Sequence, residues 1–124
     1  VVARPVAGSI VVVDWRGGRL PLEPGGMRPA IVVEDTPAIP DDYPNILVVP
    51  LTRDERFALY ASFVERIEPT PENGAPEPCF ALAHHVTSVS MRRIRSTPSK
   101  ITSEQLASIR QRAAAAIGVD TAGD

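Results

Sequence analysis

The stretch GGMRPAIVV, residues 25–33, combines a flexible pair of glycines, then Arg28 and Pro29, then small and β-branched apolar residues. Residues 30–33 have the character of a buried strand, because β-branched side chains fit a pleated surface and no helical spacing competes. Arg28 therefore stands where a loose loop enters a rigid element. A guanidinium at such a mouth can aim five fixed donors at an anion. A second store of chemical groups is Cys79 with His84 and His85. Adjacent histidines on a strand point to opposite faces and cannot easily close on one ion, so no metal site and no cofactor are expected. The third is a charge asymmetry. Residues 1–83 hold seven Arg or Lys against twelve Asp or Glu, whereas residues 84–112 hold six against one. A basic late segment of this kind can bind phosphate locally, although the formal net charge of −2 argues against a general nucleic-acid coat.

These groups need a frame. Residues 9–14, SIVVVD, read as a first strand. Residues 15–27 carry four glycines and two prolines and read as a mobile loop long enough to serve as a lid or a binding loop. A second strand is expected over 28–34. A turn-rich connection with three prolines precedes a third strand over 46–52, where Pro50 marks an edge or a bulge. Alternation suggests a strand over 62–67. Another is expected over 79–83, with a continuation or a separate strand over 86–91, before RRIRSTPSK turns the corner. Thr102 and Gln105 form a capping-box pattern, Leu106, Ile109, Ala113 and Ile117 recur at helical spacing, and Gly118 supplies a left-handed stop. Five or six short strands followed by one helix, without βαβ alternation, indicate a mainly β (α+β) fold. The expected form is a small, mostly antiparallel barrel covered by a C-terminal helix.

At 124 residues the chain accommodates one core, and a single domain is expected over 1–118 with a frayed tail over 119–124. Hydrophobic residues at 44% and charged ones at 23% fit a globular protein rather than a disordered one. Apolar runs of about five residues fall far short of the roughly 20 of a membrane span. The opening VVARPVAGSIVVVDW lacks a leading basic region and a cleavage site. One cysteine permits a reducing compartment, and a cytoplasmic location is expected.

GSIVVVDW at Gly8, GGMRPAIVV at Gly25, ILVVPLT at Ile46, HVTSVSMRRI at His85 and the closing ITSEQLASIRQRAAAAIGV together resemble the MazF/PemK toxins of bacterial toxin–antitoxin systems, in order and over nearly the whole chain. The resemblance implies an SH3-like barrel (CcdB/MazF-like) and a homodimer. It also implies metal-independent cleavage of single-stranded RNA and a cognate antitoxin that blocks it. Carried over by position, Arg28 matches the family's active-site arginine and Thr52 its threonine at the end of the third strand. Metal-free cleavage drives the 2′-OH into the adjacent phosphorus, so charge builds on the phosphate oxygens. Arg28 can give that phosphate two parallel charge-assisted hydrogen bonds and Thr52 a further donor.

The chain departs from the family at His84, His85, Val86 and Thr87, where an acidic residue, a glutamine, an apolar residue and an arginine are usual. An imidazole suits the proton shuttle between the 2′-OH and the leaving oxygen, so His84 and His85 are candidate acid–base groups. The competing reading is a decayed motif with a partly buried His84. Arg92, Arg93 and Arg95 are candidate contacts to flanking RNA phosphates or a solvated turn. Trp15 either stacks a base or anchors an antitoxin side chain, or else closes the core at a strand end. The basic segment would attract the disordered acidic tail of an antitoxin. The alternative function is a CcdB-like binding protein with the same barrel, acting on a protein such as DNA gyrase, since fold alone does not fix activity.

Overall fold

A computed structural model describes residues 4–16 and 26–119. Among these residues seven strands run in the order β1 Ser9–Asp14, β2 Met27–Val32, β3 Asn45–Thr52, β4 Val64–Ile67, β5 Cys79–Leu82, β6 Thr87–Ser90 and β7 Ile94–Lys100, followed by α1, Ser103–Ala116. All pairings are antiparallel, along the path β4-β5-β3-β2-β1-β7 with β6 added on β3. The result is a mainly antiparallel sheet with one C-terminal helix. Among the described residues no ladder joins β4 to β7, so the expected barrel is not closed by hydrogen bonding.

The three central strands are apolar almost throughout because both of their faces are covered. Ile10, Ile31, Val49 and Leu51 share one core with Ile67, Cys79, Ala81, Ile101 and Ile109, on the side where α1 docks. Val11, Val13, Ala30, Val32, Ile46 and Val48 point the other way into a second core with Val89. Alternation within each strand thus serves two cores at once.

Pro50 does not mark an edge. It lies within the central β3, paired with Ala30 of β2. On its other side β3 changes partners, from β6 at Val48 to β5 at Leu51, and Pro50 falls in the gap, where no ladder donor is required. The strand count exceeds the expected five or six because residues 94–100, read as a corner, form β7. Its polar residues and Pro98 belong to an edge strand that, among the described residues, pairs only with β1, across a register irregularity.

The helix begins as its sequence dictates. Thr102 Oγ1 accepts from the Gln105 N–H at 3.0 Å, and Gln105 Oε1 accepts from the Thr102 N–H at 2.9 Å. Gly118, at φ +89°, takes the left-handed conformation just past its end. Ile109 anchors α1 in the first core at 0% exposure. Two of its arginines then tie it to the sheet. Arg110 donates to the carbonyls of Val33 and Glu34 at 3.0 and 2.9 Å. Arg112 pairs with Glu65 at 2.6 Å and donates to the Ala61 carbonyl. At the N-terminal side, Arg4 is clasped by Glu34 at 2.6 Å, both side chains being about 3% exposed or less.

Candidate active site

The β2–β3 ladder ends at Ala30 and Pro50, and Arg28 and Thr52 each lie two residues beyond that same end. There β2 and β3 reach the mouth of a cleft of about 500 Å³ that both residues line. Ile10, Leu51, Ile67, Cys79 and Ile101 supply apolar surface, and residues 73–77 of the connection between β4 and β5 complete the wall. The arginine and the hydroxyl paired by sequence motif are therefore brought to one site by β-pairing.

The Thr52 hydroxyl oxygen accepts from the Asp54 N–H at 3.2 Å. That bond occupies a lone pair and leaves the O–H hydrogen able to donate. Asp54 in turn caps the short 3-10 turn Glu55–Leu59, accepting from the Arg56 N–H at 3.0 Å. The Arg56 guanidinium, and then its backbone N–H, hold the Asp54 carboxyl below its ordinary value. The end of β3 is thus anchored by local hydrogen bonds.

The wall opposite is shaped by Asn73, 6% exposed. Its Oδ1 accepts from the N–H groups of Thr70 and Ala75 at 3.1 and 2.9 Å, and its Nδ2 donates to the Glu68 carbonyl at 2.8 Å. Gly74, at φ +65°, makes the turn possible. At the rim Arg53 Nη1 lies 3.4 Å from Glu77 Oε1. Burial pushes the Cys79 thiol above its usual range, and the nearby Arg53 charge partly opposes this.

The two histidines are elsewhere. Cys79 touches the cleft at one end of β5, whereas His84 and His85 follow its other end, in the 3-10 turn Ala83–His85. This turn corrects the strand parity expected of them: the rings meet with centroids 4.2 Å apart, and His84 also packs edge-on against Phe63 at 4.4 Å. Desolvation, then the neighbouring His85, lower the affinity of His84 for a proton, and a backbone hydrogen bond at Phe63 opposes them. Neither imidazole lines the cleft that Arg28 and Thr52 share.

Trp15 packs with Met91 and Ile94 on the second core, and its Nε1 is buried without a hydrogen-bond partner among the described residues. The ring is half-buried just past the end of β1. Arg92 lines a separate groove of about 370 Å³ that also holds Asp41, Asp42 and Tyr43. Arg93 follows it in the turn Met91–Arg93, and Arg95 is exposed on β7 opposite Val12. The basic character of residues 84–112 is therefore divided, since Arg110 and Arg112 are committed to holding the helix. Most of the expected 15–27 loop lies outside the described residues, as do residues 120–124 of the expected tail.

Residues 7–117 match the model of the PemK-like, MazF-like toxins of type II toxin–antitoxin systems. The chain belongs to this family. Among solved structures, a mycobacterial endoribonuclease in complex with its cognate antitoxin superposes with a TM-score of 0.72 at 17% identity, over 94% of this chain and 98% of that one. MazF from Deinococcus radiodurans gives 0.70 at 22% identity, over 93% and 97%. The Mycobacterium tuberculosis toxin MazF-mt6 gives 0.69 at 13% identity, over 90% and 98%. At these identities the likeness establishes the MazF-like fold. No curated protein matches the chain by sequence.

Proposed function

We propose that the protein is the toxin of a toxin–antitoxin pair and acts as a sequence-selective endoribonuclease on single-stranded RNA, in the cytoplasm and without a metal ion. The observation that carries this reading is the meeting of Arg28 and Thr52 at one cleft, on strands whose register is fixed by two cores. A phosphodiester seated at the mouth would receive two parallel hydrogen bonds from the guanidinium and one from the Thr52 hydroxyl. All three strengthen as charge accumulates on the phosphate oxygens during 2′-OH attack. The bond that forms joins O2′ to phosphorus and the bond that breaks releases the 5′-oxygen, while the 2′-OH proton passes to solvent water and the 5′-oxygen takes one from it. The products are a 2′,3′-cyclic phosphate and a 5′-OH.

Metal independence, homodimerisation and control by an antitoxin with a disordered tail come from the family likeness. The mycobacterial relative is an endoribonuclease in complex with its antitoxin, and one Deinococcus radiodurans form is a MazE–MazF complex. Exposed Arg92, Arg95 and Lys100 offer that tail, or flanking RNA, the positive charge that the helix arginines do not.

Because neither His84 nor His85 lines the cleft, the proposed chemistry of a single chain rests on charge stabilisation. That neither imidazole lines the cleft with Arg28 favours the second reading, a CcdB-like binder without nuclease activity. Incubating pure protein with unstructured single-stranded RNA in EDTA separates the two. Discrete fragments with cyclic phosphate and 5′-OH ends support the nuclease, and intact RNA at stoichiometric protein supports the binder.

A further inference from the structure

The cleft that holds Arg28 contains a second guanidinium, Arg53, and one carboxylate among its described lining residues, Glu77. A carboxylate is an unfavourable neighbour for an RNA phosphate, so its presence at the rim calls for a physical account. Arg53 supplies one. Its Nη1 lies 3.4 Å from Glu77 Oε1, with the two side chains 63% and 58% exposed. A pair so open and so long is held weakly and is screened by solvent. It contrasts with the buried Arg4–Glu34 pair at 2.6 Å, which is part of the fold. The Arg53 charge is also felt within the cleft, where it acts on the buried Cys79 thiol against the effect of burial.

Resting on the ribonuclease reading, we infer that Arg53 is a second phosphate-binding residue of the cleft, held by Glu77 at rest and engaged by the RNA backbone on binding. A phosphate adjacent to the scissile one is the ligand. It offers the guanidinium a full charge with two acceptor oxygens in fork geometry, a stronger hold than one long contact to Glu77. Once Arg53 bridges the phosphate and Glu77, the carboxylate is neutralised instead of repelling the substrate. Arg53 follows Thr52 directly, so the anchoring of the β3 end at Asp54 fixes where both begin.

The test uses the full-length protein, a mixed-sequence 2′-O-methyl RNA that binds without being cut, and the matching cleavable RNA. Arg53→Ala weakens Kd by roughly five-fold at low salt and lowers the slope of log Kd against log[salt] by about 0.7, the value of one lost phosphate contact on a single strand. In cleavage the loss falls on KM more than on kcat. Arg53→Lys restores the salt slope, and Glu77→Gln tightens binding. Both side chains are exposed, and far-UV circular dichroism verifies that each variant is folded. If the native protein binds and cuts while Arg53→Ala keeps its Kd and salt slope, this inference falls and the nuclease stands. A native protein that neither binds nor cuts RNA overturns both.

Discussion

Replacing Glu34 with alanine should destabilise the protein severely, and the cost can be worked from the contacts. The Arg4 guanidinium donates to Glu34 Oε2 at 2.6 Å and Oε1 at 2.8 Å, to the Tyr43 carbonyl at 2.7 Å and to the Asn45 carbonyl at 2.5 Å. Glu34 Oε1 also accepts from the Leu47 N–H at 3.1 Å, so one carboxylate links the N-terminal segment, the end of β2 and the start of β3. Removing it leaves a guanidinium 3% exposed without its counter-charge. Breaking a buried pair in this way costs about 3–5 kcal/mol, a large part of the roughly 5–15 kcal/mol that holds a domain together. Replacing both partners, Arg4→Met with Glu34→Leu, should cost far less, because no charge remains unpaired.

The same contact sets a pH dependence. Burial pushes the Glu34 carboxyl up, but the Arg4 hydrogen bond and the Leu47 N–H together outweigh it and hold the group below its ordinary 4.5. A carboxylate lowered on folding stabilises the native state in full above its unfolded value and loses that contribution as pH falls through the folded one. Urea unfolding followed by circular dichroism should therefore show the gap between native protein and Glu34→Ala at its widest at pH 7, narrowing below pH 4.5. A loss below about 1 kcal/mol, or a gap that does not change with pH, would refute the reasoning.

Thr52→Val should lower the RNA cleavage rate by about 10²-fold, the usual effect of losing one preorganised donor, whereas Thr52→Ser should retain most of it; equal rates for the two would remove the hydroxyl from the reaction. The double substitution of His84 and His85 by alanine should leave cleavage within several-fold, with no limb near pH 6.5 in the native rate profile. A loss of about 10²- to 10⁴-fold would instead assign the proton transfer to an imidazole, which would have to come from a second copy.

Much of this could be read from the chain, and the failures have identifiable causes. β1, β2 and β3 stand out because burial on both faces makes them apolar throughout, and α1 is announced by Thr102, Gln105 and Gly118. Arg28 and Thr52 were paired by motif, and the register explains the pairing. β7 was missed since an edge strand tolerates charge and Pro98, leaving little periodicity to detect. The Arg4–Glu34 clasp joins residues 30 positions apart, and no local pattern reports such a contact. The opposite faces expected of His84 and His85 presume a continuous strand, and a single 3-10 turn breaks it. In the wall of the cleft, the place of Asn73 and Gly74 depends on how β4 and β5 are laid beside β3, which no local pattern reports.

The most direct measurement is single-turnover cleavage of an unstructured RNA in EDTA by the native protein and by Arg28→Ala. The account predicts discrete products from the native protein and a fall of about 10³-fold or more on losing both guanidinium donors. An Arg28→Ala variant that cuts the same RNA at the native rate would contradict it.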